Sequence, residues 1–233
     1  MKETVLIFGS SGTLGSAIYD QLDKENYDIY TSGKISKSNQ EKHILTDYNP
    51  FHKISNFSNL PKLDAVVWAN GLNISDQILN FKSEDLMHIL NSNVLFIAKS
   101  ISDLIKSNKI KTGARMVILS SIWQVESKRN KLSYSISKAA IQGLIKSSAI
   151  DLGKKGILIN GILPGVVDSP MARKHLSDKE ILLIKKNSAL LRLPKPLDIA
   201  NTVSFLISNS NKSITGQSLI VDCGFTGLKN NLS

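Results

Sequence analysis

Short runs rich in β-branched and other apolar residues alternate along this chain with longer stretches whose apolar positions recur every three or four residues. The runs Thr4–Phe8, Tyr27–Thr31, His43–Leu45, Ala65–Trp68, Arg115–Leu119, Ile157–Leu163 and Ser218–Val221 have the length and composition of strands. The stretches Leu14–Lys24, Ser83–Ser107, Tyr134–Leu152 and Leu197–Ile207 carry the helical period. Such alternation predicts an α/β fold, a single doubly wound parallel sheet with helices on both faces. Within Ser83–Ser107, the residues Leu86, Ile89, Leu90, Asn93, Ile97 and Ile101 share one face, which puts Asn93 on the buried stripe. An amide there must find partners or cost stability. Before the last strand lies an amphipathic insertion, Met171–Leu191, and we expect the segment 166–191 to form a small helical lid over a site.

Composition narrows the class. A length of 233 residues suits one α/β domain, 1–233, and 42% hydrophobic with 21% charged residues describes a globular protein. The single cysteine, Cys223, leaves no intrachain disulfide and fits a reducing compartment. Met1 runs almost directly into Val5-Leu6-Ile7-Phe8, which is not the layout of a signal peptide, so a cytoplasmic protein is expected. The longest apolar stretch, near Gly156–Val167, is broken by Asn160 and Pro164 and is too short for a bilayer, so no membrane partner is expected. A net charge of +10 would suit a polyanion, but Lys24, Lys34, Lys37, Lys42, Lys53 and Lys62 are scattered singly. The expectation is therefore a solvated basic surface and no nucleic acid. No metal is expected either.

The first predicted strand ends in Gly9-Ser10-Ser11-Gly12-Thr13-Leu14-Gly15 and a helical pattern follows. Glycines there let the chain turn tightly, let backbone approach a pyrophosphate and let helix pack on strand. The free N–H groups and positive dipole end of the helix would then hold the anion. Further on, Tyr134-Ser135-Ile136-Ser137-Lys138 opens a helix, and residues four apart lie on one face, so a phenol and an ammonium can share a pocket. A free tyrosine titrates near pH 10, too high for ready proton transfer at neutral pH, and a neighbouring cation would lower it. Thirteen residues upstream of Tyr134, a strand ends at Ser120-Ser121, where a hydroxyl can donate to a substrate oxygen that gains charge.

These landmarks stand in one order with Asp47 after the third strand, Ala69-Asn70-Gly71 after the fourth, Asn93, Pro164-Gly165 with Val167 and Ser169, and the tail Ile214–Asp222. Over nearly its whole length the chain resembles the short-chain dehydrogenase/reductase family in its classical form. The resemblance implies a Rossmann-type sheet and an NAD(P)-dependent oxidoreductase that moves hydride between nicotinamide and a carbonyl or alcohol. It makes Tyr134 the proton donor or acceptor and Lys138 the holder of the nicotinamide ribose. Ser121 would orient the carbonyl and Asn93 would anchor a water that relays protons. The turn from Gly9 through Ser11, Gly12, Thr13 and Leu14 to Gly15, with Asn70 and Gly71, would belong to the cofactor site. Asp47 would contact the adenine, and backbone from Pro164 through Gly165 to Val167, with Ser169, the carboxamide. Three positions depart from the family's usual pattern. Thr13 stands where glycine is usual, Trp68 begins a segment that commonly reads Asn-Asn-Ala-Gly, and Cys223 replaces a glycine.

For the cofactor we expect NADP(H) over NAD(H). The only carboxylate of the second strand, Asp28, lies too early to reach the adenosine ribose, whereas Ser32 and Lys34 at the strand's end can meet a 2′-phosphate. The substrate is expected to be a small carbonyl or alcohol on a floor of Ser121, Trp123 and Gln124. Basic residues of the insertion (Arg173, Lys174, His175, Lys179, Lys185 and Lys186) either point to an anionic substrate or face solvent. A non-catalytic dinucleotide sensor on the same fold is the alternative function, and the intact Ser121, Tyr134 and Lys138 set argues against it. Finally, Leu95, Phe96, Ile141, Leu144 and Ile145 spread apolar surface beyond one stripe of their helices. A homotetramer or homodimer is expected, and a sharp monomer mass in dilute light scattering would contradict it.

Overall fold

The computed structural model describes residues 2–22, 24–34, 42–51 and 57–227 of the chain. Seven strands form one parallel sheet: β1 (Glu3–Phe8), β2 (Tyr27–Gly33), β3 (His43–Leu45), β4 (Leu63–Trp68), β5 (Ile110–Leu119), β6 (Leu158–Pro164) and β7 (Ser218–Val221). They lie in the order β3-β2-β1-β4-β5-β6-β7. The chain winds outward from β1 in one direction and from β4 in the other, so the crevice beyond the carboxyl ends of these two strands is the switch point where such sheets bind ligands. The expected doubly wound parallel sheet is therefore the fold observed. Among the described residues, no helix is long and apolar enough to cross a membrane.

Alternate side chains along each strand divide the core into two layers. Leu6, Phe8, Val66, Trp68, Met116 and Ile118 pack on one side with Phe96, Ile97, Ile141 and Ile145. These helical residues come from α3 (Phe96–Lys106) and α4 (Leu132–Gly153). Val5, Ile7, Val67, Val117 and Leu119 pack on the other side with Ile18, Ile199 and Val203, from α1 (Thr13–Gln21) and α7 (Pro196–Ile207).

Two elements differ from the reading of the periodicity. The stretch Ser83–Ser107 is not one α-helix: α2 (Ser83–Leu90) and α3 are joined by a π-helical turn, Asn91–Leu95. Such turns insert one residue into the helical ladder and recur at functional sites. Strand β5 begins at Ile110, five residues earlier than expected, because its first half is irregular. The pairing with β4 slips between Leu63 and Ala65, and Gly113 adopts φ +77°. Between β6 and α7 the chain forms α5 (Pro170–His175) and α6 (Asp178–Lys186), so the helical character expected of 166–191 is present.

Trp68 is accommodated by the core. It is wholly buried and stacks on Phe8 with ring centres 5.7 Å apart. Its indole N–H donates to Ser100 Oγ at 2.8 Å, which in turn donates to the Ile97 carbonyl. The unusual residue thereby ties β4 to α3.

Close approach decides which glycines matter. Gly9 has φ +78°, and a Cβ there would stand 2.5 Å from the backbone nitrogen of Asn70. At Gly15 a Cβ would stand 2.1 Å from the Gly9 carbonyl oxygen, whereas at Gly12 the nearest atom is 3.4 Å away. Gly15→Ala is expected to cost about 1–3 kcal/mol of stability through overpacking. Gly12→Ser, at a helix N-cap that accepts serine well, should cost nothing measurable. Urea midpoints of the two variants check the contrast, and equal midpoints would contradict it.

Candidate active site

The carboxyl end of β5 and the first turns of α4 supply the central groups. Ser121 follows β5, and its Oγ accepts from the Trp123 backbone N–H at 3.3 Å. Two turns of α4 bring Tyr134 and Lys138 to one face, with the Lys138 Nζ 5.5 Å from the centre of the Tyr134 ring. Ser121 lies near enough to the Tyr134 phenol to pull its pKa down, so the three residues paired in the sequence do come together. Lys138 is buried and donates to the Leu119 carbonyl at 3.2 Å. A Cβ built on Gly71 would stand 3.6 Å from the Lys138 Nζ and 3.8 Å from Asn93 Oδ1, which places all three in one corner.

Asn93 is wholly buried, as its stripe position required. Its Nδ2 donates to the Leu72 carbonyl at 2.9 Å and to Ser137 Oγ at 3.1 Å, and its Oδ1 accepts from the Leu72 N–H at 2.7 Å. A second anchor was not picked out from the sequence. The buried carboxylate of Asp76 accepts from the Ser133 N–H at 3.0 Å and from the Ser133 hydroxyl. Helix α4 has no side-chain cap of its own and no acidic residue in its first turn, so Asp76 satisfies its free donors from a distance. No local pattern could reveal this, since the partners are 57 residues apart.

Burial dominates the electrostatics, which corrects the expectation of a lowered tyrosine pKa. The Tyr134 phenol is pushed up to about 12 by desolvation, with the nearby Ser121 pulling the other way. Desolvation pushes Lys138 down to about 8. Both groups thus shift toward their neutral forms, because each charge is costly away from water.

At the β1 turn, Gly12 N-caps α1 without a side-chain cap, leaving the first N–H groups open. Gly12 and Thr13 are exposed, Ser11 and Leu14 half-buried and Gly15 buried. Asp28 pairs with Lys42 at 2.5 Å near the start of β2, consistent with its being too early for the ribose. Lys34 is exposed just past β2, while Ser32 is wholly buried. Asp47 is exposed and accepts from the Asn49 N–H at 3.0 Å. The next residue, Tyr48, also escaped the sequence reading. It packs edge-on against Phe96, and its hydroxyl donates to the Ser32 carbonyl at 3.0 Å.

Three buried side-chain atoms at the carboxyl ends of β2, β4 and β5 find no hydrogen-bond partner among the described residues: Ser32 Oγ, Asn70 Oδ1 and Ser120 Oγ. Buried polar atoms left unpaired are costly. Together with the open α1 terminus and the Cβ-free cradle of Gly9 and Gly15, they fit a polar ligand along the switch-point crevice. Pro164 is buried, and Gly165 packs so closely on Asp222 that a Cβ would lie 2.7 Å from the Asp222 Cβ. Val167 packs against the second core layer. Ser169 caps α5, accepting from the Ala172 N–H at 3.2 Å. A cavity of about 520 Å³ opens beside it, lined by Ala17, Asp168, Ser169, Arg173 and Lys195 among others, but not by Tyr134.

Two expectations concerned the substrate side. The Gln124 side chain is tied to the sheet through one of its polar atoms, with Oε1 left unpaired among the described residues. It is buried and donates from Nε2 to Ser218 Oγ of β7 at 2.9 Å, because the short 3-10 turn after Ser121 directs it toward the sheet. In the insertion, Arg173, Lys174, Lys179 and Lys186 are exposed and Arg173 is held by Asp168. Solvent, the second of the two readings, accounts for these cations. The His175 side chain lies outside the described residues.

The sequence model of the family described as enoyl-(acyl carrier protein) reductase matches residues 55–226. The chain belongs to the short-chain dehydrogenase/reductase family of oxidoreductases. It is 31% identical, over 95% of its length and 96% of the relative's, to the 3-oxoacyl-[acyl-carrier-protein] reductase FabG of Rickettsia bellii. A solved short chain dehydrogenase family protein from Francisella tularensis superposes with a TM-score of 0.87 at 28% identity, covering 98% of this chain and 100% of that one. BdcA, solved in complex with NADPH, shares the fold at 22% identity with a TM-score of 0.83, covering 96% of this chain and 93% of that one.

The Lys138 shift makes a stability prediction. The native state releases this proton near pH 8 and the unfolded chain near 10.5. Between those values the unfolded state binds more protons, so this group makes stability rise with pH. Tyr48 and Tyr134, raised from 10.0 to about 12, act in the opposite sense only above pH 10. Urea unfolding from pH 8 to 10 should therefore show wild-type stability climbing relative to Lys138→Met. Parallel curves would remove the buried-charge account.

Proposed function

We propose that this enzyme reduces a carbonyl compound with NADP(H), using Tyr134 as general acid. The observation that carries the reading is the meeting of Ser121, Tyr134 and Lys138 beside Gly71 and Asn93 at the carboxyl ends of β4 and β5. The open α1 terminus and the unpaired Ser32, Asn70 and Ser120 atoms support a dinucleotide in the adjoining crevice. On this reading backbone from Gly9 through Ser11, Gly12, Thr13 and Leu14 to Gly15 holds the pyrophosphate, and Asp47 lies at the adenine. Lys138 holds the ribose hydroxyls. Pro164, Gly165, Val167 and Ser169, with Asn70 and Gly71, line the nicotinamide end. When bound, the nicotinamide supplies the hydride.

The chain's own residues do the rest. Ser121 donates to the carbonyl oxygen as it gains charge. Tyr134, a protonated phenol at neutral pH, gives that oxygen its proton. Lys138, with its pKa near 8, is still charged at neutral pH and close to releasing a proton, so it can help to reprotonate Tyr134. Asn93, committed to Leu72 and Ser137, keeps Lys138 in place. We read the segment 166–191 as the cover of this site and 1–233 as one catalytic domain.

The fold by itself does not choose between the two nicotinamide cofactors. The preference for NADP(H) rests on Lys34 at the end of β2 and on Asp28 being paired away from it. Similarity to the 3-oxoacyl-[acyl-carrier-protein] reductase of Rickettsia bellii makes a 3-oxoacyl thioester the first carbonyl to try. An assay of such a thioester, simple ketones and keto acids tests the reading by absorbance of the reduced cofactor. Tyr134→Phe should lose about 10²- to 10⁴-fold in kcat while keeping dinucleotide affinity within a few-fold. In the same assay kcat/KM should favour NADPH, and Lys34→Ala should narrow that margin. Turnover of the phenylalanine variant near wild type would overturn the role of Tyr134.

A further inference from the structure

The loop leading into α4 reads Glu126-Ser127-Lys128-Arg129-Asn130-Lys131, and the proposed reaction uses none of it. Yet it brings two ammonium groups to the reacting residues. The Lys131 Nζ lies 5.3 Å from the centre of the Tyr134 ring, and the Lys128 Nζ lies 5.6 Å from the centre of the Trp123 ring, two residues past Ser121. Lys131 is half-buried and donates to Asn73 Oδ1 at 2.7 Å.

Nearby carboxylates act on the pair only at a distance. Asp76 attracts Lys131, but its oxygens bond Ser133 and not the ammonium. Glu180 of α6 is close enough to Lys128 to feel its charge, but its carboxylate is held by the N–H and hydroxyl of Ser177. Among the described residues neither lysine forms an ion pair, with Glu126 of the same loop or with any other carboxylate. Burial, followed by repulsion from Lys128, pushes the Lys131 pKa down against the attraction of Asp76. Two like charges held together beside aromatic rings repel each other, and an anion between them relieves that cost.

We propose that Lys128 and Lys131 form a subsite for an anionic group, a carboxylate or a phosphate, that the substrate carries close to the carbonyl protonated by Tyr134. The inference rests on the reductase reading and narrows its substrate class. It also relocates the anion preference from the exposed cations of α5 and α6 to the loop before α4.

Binding is read first, without turnover. Inorganic phosphate and acetate are titrated at constant ionic strength while Trp123 fluorescence is followed, with Trp123→Phe identifying the signal against Trp68. A saturable change is expected, and it should vanish in Lys128→Met/Lys131→Met. No saturable change, or one that survives in the double variant, overturns the subsite whatever the activity. Matched pairs are then compared: acetoacetate with its ethyl ester, and dihydroxyacetone phosphate with dihydroxyacetone. In the wild type, kcat/KM should favour the charged member of at least one pair by about ten-fold or more, as a charge-assisted hydrogen bond allows. That ratio should fall toward one in Lys131→Met and recover in Lys131→Arg. A ratio near one in the wild type overturns the proposal, even where both members are reduced. Saturable phosphate binding that the double variant abolishes, with no ketone reduced, keeps the subsite and removes the reductase reading instead.

Discussion

The side-chain amide of Asn93 sits where three parts of the chain have to meet. It joins the loop after β4, through both backbone groups of Leu72, to Ser137 in α4, and it does so from a π-helical turn between α2 and α3. A buried polar group left unpaired costs about 1–3 kcal/mol, so these partners are held to one another. Gly71 and Lys138, each next to a residue that Asn93 bonds, are brought into the same corner. The helical period alone puts residue 93 on the buried side, and the π turn gives its amide the approach to two different elements.

Asp76 completes this arrangement at the other end of the turn that carries Tyr134. A carboxylate at a helix N-terminus satisfies free N–H groups and faces the positive end of the helix dipole. Because α4 lacks a cap of its own, its first turn depends on a residue from the β4–α2 connection. The same burial that secures α4 sets its chemistry. Burial drives Tyr134 toward the protonated phenol and Lys138 toward the free amine. The cations that remain at the mouth, Lys128 and Lys131, are placed by that loop and not by the sheet.

Much of this was legible along the chain because the signals were local. Strand and helix periods depend on which side of each element meets the core, so the parallel sheet, the Gly9–Gly15 turn and the spacing of Tyr134 and Lys138 could be read directly. Gly15 is required by a contact only six residues away. What failed was not local. The start of β5 was missed because a slipped register and a positive φ at Gly113 break the alternation. The bond from Gln124 to Ser218 was not legible either, because nothing near Gln124 in sequence announces it.

The sequence by itself determined the fold class and the family, and singled out Ser121, Tyr134 and Lys138 as candidates, since these follow from side-chain type and short spacing. Tertiary structure alone decided their electrostatic state and support. A model-compound pKa says nothing of desolvation, and the opposite shifts of Tyr134 and Lys138 exist only once the face of α4 that carries both is buried. The anchoring of Asp76 on Ser133 likewise depends on how separate elements dock. Contacts between such elements are set by the folded path of the chain, and no periodicity encodes them.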